Sequence, residues 1–221
     1  MTRVIALLGV TLGASAAGAQ QRAAAVASLS LMEQRVDLGG GSGVQRAFGP
    51  VAGVQGTFRA TPWLEVSAGA RVGHLSPKTA YAEARDVGEV GFGASVLASP
   101  SLAITGGLQV RSYTGTLGTQ RWTSLSLGAE ERLEFIGGAL HAVFRGAFLP
   151  LVSVSGGVAS PSVAVSAGSG LELTRGRWTG AVLYTLERYD FPERDSARRL
   201  EQLGGLTIRV GVRLGRPKLG S

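Results

Sequence analysis

The side chains best placed for chemistry are two histidines and the carboxylates near them. His74-Leu75-Ser76 sets an imidazole two residues from a hydroxyl, a spacing that puts both on one face of a β-strand. With a carboxylate behind it, such a histidine could take the serine proton and generate a nucleophile. Glu89 falls on the next expected strand and is the candidate for that carboxylate. In a second arrangement, the fold gathers Asp86 or Asp190 to His74 and makes a general base for water. Pro77 follows Ser76 directly, so the strand is ending there, and the plainer expectation for His74 is a solvated rim histidine. Asp37 and Asp195 also fall in expected loops, but no Asp-x-Asp or Asp-x-His spacing occurs. His141 is expected to face inward as one member of a polar network. Two histidines and no cysteine give no zinc constellation. Gly39-Gly40-Gly41-Ser42-Gly43 is followed by neither Gly-Lys-Ser/Thr nor a helix, so it reads as a flexible loop and not a phosphate cradle. No catalytic residue, cofactor or metal is assigned on these grounds.

The elements that would carry these residues have a period of two. Leu206, Ile208, Val210, Val212 and Leu214 alternate with Thr207, Arg209, Gly211 and Arg213. Trp178, Val182, Tyr184 and Leu186 alternate with Thr179, Ala181, Thr185 and Glu187 in the same way. The pattern recurs upstream, with a weaker first arm over 25–36, and gives ten arms of roughly 11–13 residues each. A tilted strand crossing a bilayer needs about 9–11 residues. Short joins at Ala60-Thr61-Pro62, Ala98 to Ser101, Ile136 to Gly138 and Arg175 to Arg177 alternate with longer ones near 37–47, 76–86, 114–121, 150–161 and 190–202. Short turns on one side and longer loops on the other suit a transmembrane barrel. An even strand count brings both termini to the same, periplasmic, side.

Composition narrows the class further. Glycine contributes 34 of 221 residues without a Gly-x-y period, so a collagen helix is excluded. Zero cysteine excludes a disulfide scaffold and a thiol nucleophile. Met1-Thr2-Arg3, the apolar run from Val4 to Leu12 and the small residues Ala17 and Ala19 form an export signal cleaved before Gln20, so 1–19 is the expected signal peptide and 20–221 a single barrel domain. No later stretch holds the 18 or so consecutive apolar residues of a membrane helix. The excess of 22 Lys+Arg over 15 Asp+Glu is spread along the chain and is nearly all Arg. It suits anionic lipid head groups or polysaccharide, and no nucleic acid partner is expected.

A soluble sandwich or lipocalin-like barrel also alternates, but its outer face would carry many Lys, Glu and Asp. Here the polar face is Gly, Ser, Thr, Arg and Glu, with small residues suited to a crowded lumen. Over about residues 25–215 the chain resembles the small outer-membrane β-barrel superfamily, in the style of outer-membrane proteins A and X, with a strand count nearer the omptins. The resemblance implies an all-β, closed, antiparallel, up-and-down transmembrane barrel of about ten strands, with eight as the alternative. It also implies contact with outer-membrane lipid and lipopolysaccharide, and delivery by the outer-membrane assembly machinery. After Leu214-Gly215 the sequence reads Arg216-Pro217-Lys218-Leu219-Gly220-Ser221, without the terminal aromatic such proteins carry. Within this resemblance, omptin proteases use Asp pairs and an Asp–His pair at the rim, and lipid A deacylases use a His-x-Ser triplet with a nearby Glu. Only the bare triplet at His74 to Ser76 is matched.

Placing the polar face inward collects Arg59, Arg71, Arg111, Arg132, Arg145, Arg209 and Arg213 with Glu65, Glu89, Glu130, Glu134, Glu172 and Glu187. Unpaired charges in a confined lumen are costly, and bidentate Arg–Glu pairs satisfy both groups. The expectation is a charge-paired plug in a structural, surface-binding or slow solute-passage barrel. The alternative is an outer-membrane hydrolase with its site at the rim. Trp63, Trp122 and Trp178 fall at strand ends, as interfacial girdles do, with sugar stacking conceivable for Trp122 alone.

Overall fold

Alternation of β-branched and aromatic residues with Gly, Ser, Thr and Arg gives each arm two unlike faces, and closure of the sheet lets every backbone group find a partner. In the computed structural model, which describes residues 22–39, 43–116, 118–156, 159–193 and 199–214, ten antiparallel strands form a closed barrel. They are β1 (Arg22–Asp37), β2 (Val44–Arg59), β3 (Leu64–Pro77), β4 (Arg85–Leu97), β5 (Leu102–Gly115), β6 (Gly118–Ile136), β7 (Leu140–Ser155), β8 (Val163–Arg175), β9 (Trp178–Asp190) and β10 (Leu200–Leu214). Each pairs with its sequence neighbours, and β1 closes the ring on β10 from Ala23 opposite Leu214 to Asp37 opposite Leu200. The weak first arm is therefore a full strand, and the eight-strand alternative is set aside. The signal peptide expected at 1–19, Asp195, the centre of the glycine loop and the tail after Leu214 lie outside the described residues.

The strands run from 13 to 19 residues, longer than the 11–13 expected. The five longer connections are accordingly shorter than expected, two of them most clearly. β5 and β6 meet across 116–117 in place of a loop over 114–121, and β7 continues to Ser155 in place of a loop from 150. Pro150 sits in a bulge: the β6–β7 register shifts between Leu125 opposite Leu151 and Leu127 opposite Phe148. A bulge tolerates the missing N–H that a regular ladder position would not.

The end carrying Arg22 and Leu214 has tight turns, and Gly137 and Gly138 take φ of 50° and 70° in one of them, a backbone region that favours glycine. At the opposite, loop end, β2 and β3 approach so closely that a Cβ on Gly49 would lie 1.9 Å from the His74 carbonyl oxygen. Glycine at position 49 is what lets the two backbones come this close beside the candidate histidine. The apolar faces point outward: Val54, Val72 and Phe92 are 65%, 66% and 66% exposed. Such a continuous apolar belt belongs against lipid, not water.

Candidate functional site

Along the barrel axis the inside–outside polarity reverses. In the belted portion, apolar side chains face out and Gly, Ser, Thr, Arg and Glu face in. Toward the loop end the outer surface turns polar, with Glu33, Arg35, Arg46, His74, Asp86 and Arg188 exposed or half-buried. There the interior becomes an apolar core, in which Met32, Val51, Leu75, Val87, Leu203 and Phe191 surround a buried aromatic cluster. Trp122 is 3% exposed and packs edge-on against Tyr113, Tyr189 and Phe191, with ring centroids at 6.3, 5.0 and 6.0 Å. Trp122 is therefore neither a girdle nor a sugar platform, because its position on β6 has lumen parity. Trp63 and Trp178, about half exposed on the outer wall near the terminus end, have the girdle placement.

Below this core the charged residues fall into layers. Arg111 on β5 reaches across the lumen to β9, where its Nη1 and Nη2 donate to Glu187 at 2.8 and 3.1 Å, while its Nε donates to Glu89 at 2.7 Å. Arg71 donates to the other oxygen of Glu89 at 2.7 Å, and the Tyr189 hydroxyl donates to Glu187 at 2.7 Å. Nearer the terminus end, Arg132 donates to Glu130 at 2.7 Å and to Glu172 at 3.3 Å, and Arg145 lies 2.5 Å from Glu130. Arg59 donates to Glu65 at 3.5 Å. Arg209, Arg213 and Glu134 make no side-chain hydrogen bond or ion pair among the described residues. His141 lies inside, but its buried Nδ1 has no partner, so it is not the network member expected.

The alternation pattern missed a further buried set at the loop end. Gln34 donates to Glu201 at 2.6 Å, Arg199 donates to the other Glu201 oxygen at 2.9 Å, and Arg85 donates to Gln34 at 3.2 Å. Glu201 is wholly buried. It shares parity with Thr207 and Arg209, a signal available in the sequence, but it was expected in a loop.

The candidate hydrolytic residues are only partly brought together. His74 and Asp86 are cross-strand partners on β3 and β4, and His74 Nδ1 lies 2.8 Å from an Asp86 oxygen. Ser76 occupies the same outward face, while Leu75 between them points into the core. Glu89 faces the lumen on the opposite side of the wall, so strand parity removes it from His74. Asp190 is on β9, four strands around the ring, where it pairs with Arg188. No group of three or more potential ligands for a metal ion occurs among the described residues.

No protein-family model matches the chain, and no curated protein matches it in sequence. Among solved structures, the outer membrane protease OmpT from Escherichia coli superposes with a TM-score of 0.58 at 11% identity, covering 87% of this chain and 97% of that one. The translocator domain of the autotransporter NalP from Neisseria meningitidis gives a TM-score of 0.43 at 14% identity, with 90% of each chain covered. At 11% identity the likeness to OmpT shows the fold alone, a closed antiparallel β-barrel. The continuous apolar belt on its outer wall is the kind of surface that packs against lipid. Identity this low shares architecture with OmpT and carries no chemistry across.

Proposed function

We propose that this barrel is a closed, non-conducting element of the outer membrane whose work is structural and surface-binding, carried by the polar collar and loops at its outer end. The observation that supports this is the double obstruction of the lumen: an apolar core around Trp122 and, beneath it, the Arg111 bridge between Glu89 and Glu187. A small barrel is just wide enough for side chains to fill it, and filled barrels do not pass solutes freely. Arg35, Arg46, Lys78 and Arg188 on the collar suit contact with anionic lipid and lipopolysaccharide head groups. The outer-membrane assembly machinery delivers such a barrel. Purified protein in planar bilayers is expected to show no step conductance at porin scale, and regular steps of that size would overturn the reading.

One observation favours a second reading, a hydrolase acting at the outer leaflet. The His74–Asp86 pair, with Ser76 on the same wall, is the beginning of a nucleophile, base and orienting acid. On the structural reading, neither the intact protein nor His74→Ala releases fatty acid from lipopolysaccharide in micelles. Acyl release by the intact protein that disappears in His74→Ala would establish the enzyme instead.

A further inference from the structure

Between the Arg111 bridge and the terminus end lies a cavity of about 490 Å³, a size typical of small-molecule sites. Its wall carries Arg59, Arg132, Arg145, Arg209 and Arg213 against Glu65, Glu130 and Glu172. Every one of those carboxylates is already engaged: Glu65 by Arg59, Glu130 by Arg132 and Arg145, and Glu172 by Arg132. Arg209 and Arg213 are left over. On β10, Arg209 stands between Ser28 of β1 and Ala181 of β9, so neither adjacent strand offers it an anion. It is half-buried, and it lines a second cavity of about 290 Å³ together with Gly69, Gly91, Gly93 and Gly107.

A guanidinium held in a confined lumen without a partner is unfavourable unless something else supplies the negative charge. Arginine forks match phosphate and carboxylate oxygens in pairs. The main cavity continues into a mouth at the terminus end through the shared residues Arg132, Glu172 and Arg213, and it is shut on the other side by Arg111. We propose that this one-ended cup binds a small, multiply charged oxyanion, a phosphate- or carboxylate-bearing solute, anchored by Arg209 and entering past Arg213 from the terminus side. The inference rests on the closed lumen proposed above. The two are tested separately, because conductance reports closure and equilibrium binding reports the cup.

The experiment is calorimetric titration of inorganic phosphate, and separately of citrate, into detergent-solubilised protein at constant ionic strength, with heat-dependent gel mobility verifying each variant's fold. Saturable binding is expected for the intact protein. Arg209→Gln is expected to weaken it about tenfold or more, the scale of one lost charge-assisted contact. Because Arg209 has no partner to orphan, that variant is expected to fold. Glu130→Gln releases Arg145 and removes one of the two carboxylates held by Arg132, and is expected to tighten binding, whereas Arg121→Gln, exposed at the loop end of β6, leaves it unchanged. Absence of binding in the intact protein, full binding in Arg209→Gln, or loss in Arg121→Gln would each overturn the proposal.

Discussion

Arg111→Ala is expected to destabilise the barrel by about 3–5 kcal/mol, because it removes one partner from a buried charge cluster and strands the others. Arg111 is 4% exposed and holds both Glu89 and Glu187. Removing it leaves two carboxylates in a narrow lumen with only Arg71 and the Tyr189 hydroxyl to share. Arg111→Lys is expected to recover only part of the loss, since an ammonium cannot form the two-pronged contact with Glu187 while also reaching Glu89. Urea unfolding of the refolded protein in micelles measures the difference. A change below about 1 kcal/mol, the scale of an exposed ion pair, would mean that water enters this layer and that the bridge is not a closure.

Trp122→Ala is expected to be comparably severe, about 3–5 kcal/mol, by the cavity and lost contacts of a large buried aromatic. Trp122 joins Tyr113, Tyr189 and Phe191, which come from β5, β9 and the segment after β9, so one truncation loosens three parts of the ring. Trp178→Ala provides the contrast, since that side chain is half exposed on the outer wall. Its loss is expected to be much smaller in the same urea measurement. Equal losses at the two tryptophans would place the stabilising apolar contacts in the lipid belt and not in the core at the loop end.

Much of the architecture is legible because strand parity is strict. Leu206 and Ile208 cannot share a face with Thr207 and Arg209 on any regular strand, so once the chain closes, one set must meet lipid and the other must fill the lumen. The same rule separated Glu89 from His74 and Ser76, which lie on the neighbouring strand with opposite parity. Lumen parity also assigns Leu75, Val87, Tyr113 and Leu203 inward, and all four lie toward the loop end. These bulky apolar residues on the nominally polar face were the available sign of a core there. Alternation treats a strand as uniform along its length, so it does not register that the surroundings change from lipid to water partway up.

Composition and parity determined which residues form the apolar outer belt and which face inward, because these follow from local geometry repeated along each strand, while the count of ten was decided by the pairing of β1 with β10. Pairing within the lumen was decided by the ring. Whether Arg111 meets Glu187, and whether Arg209 meets nothing, depends on register across strands 76 residues apart in the first case and on neighbours from both ends of the chain in the second. The partner of each inward charge is set by strand stagger around the closed barrel, and a single strand's sequence carries no record of that stagger.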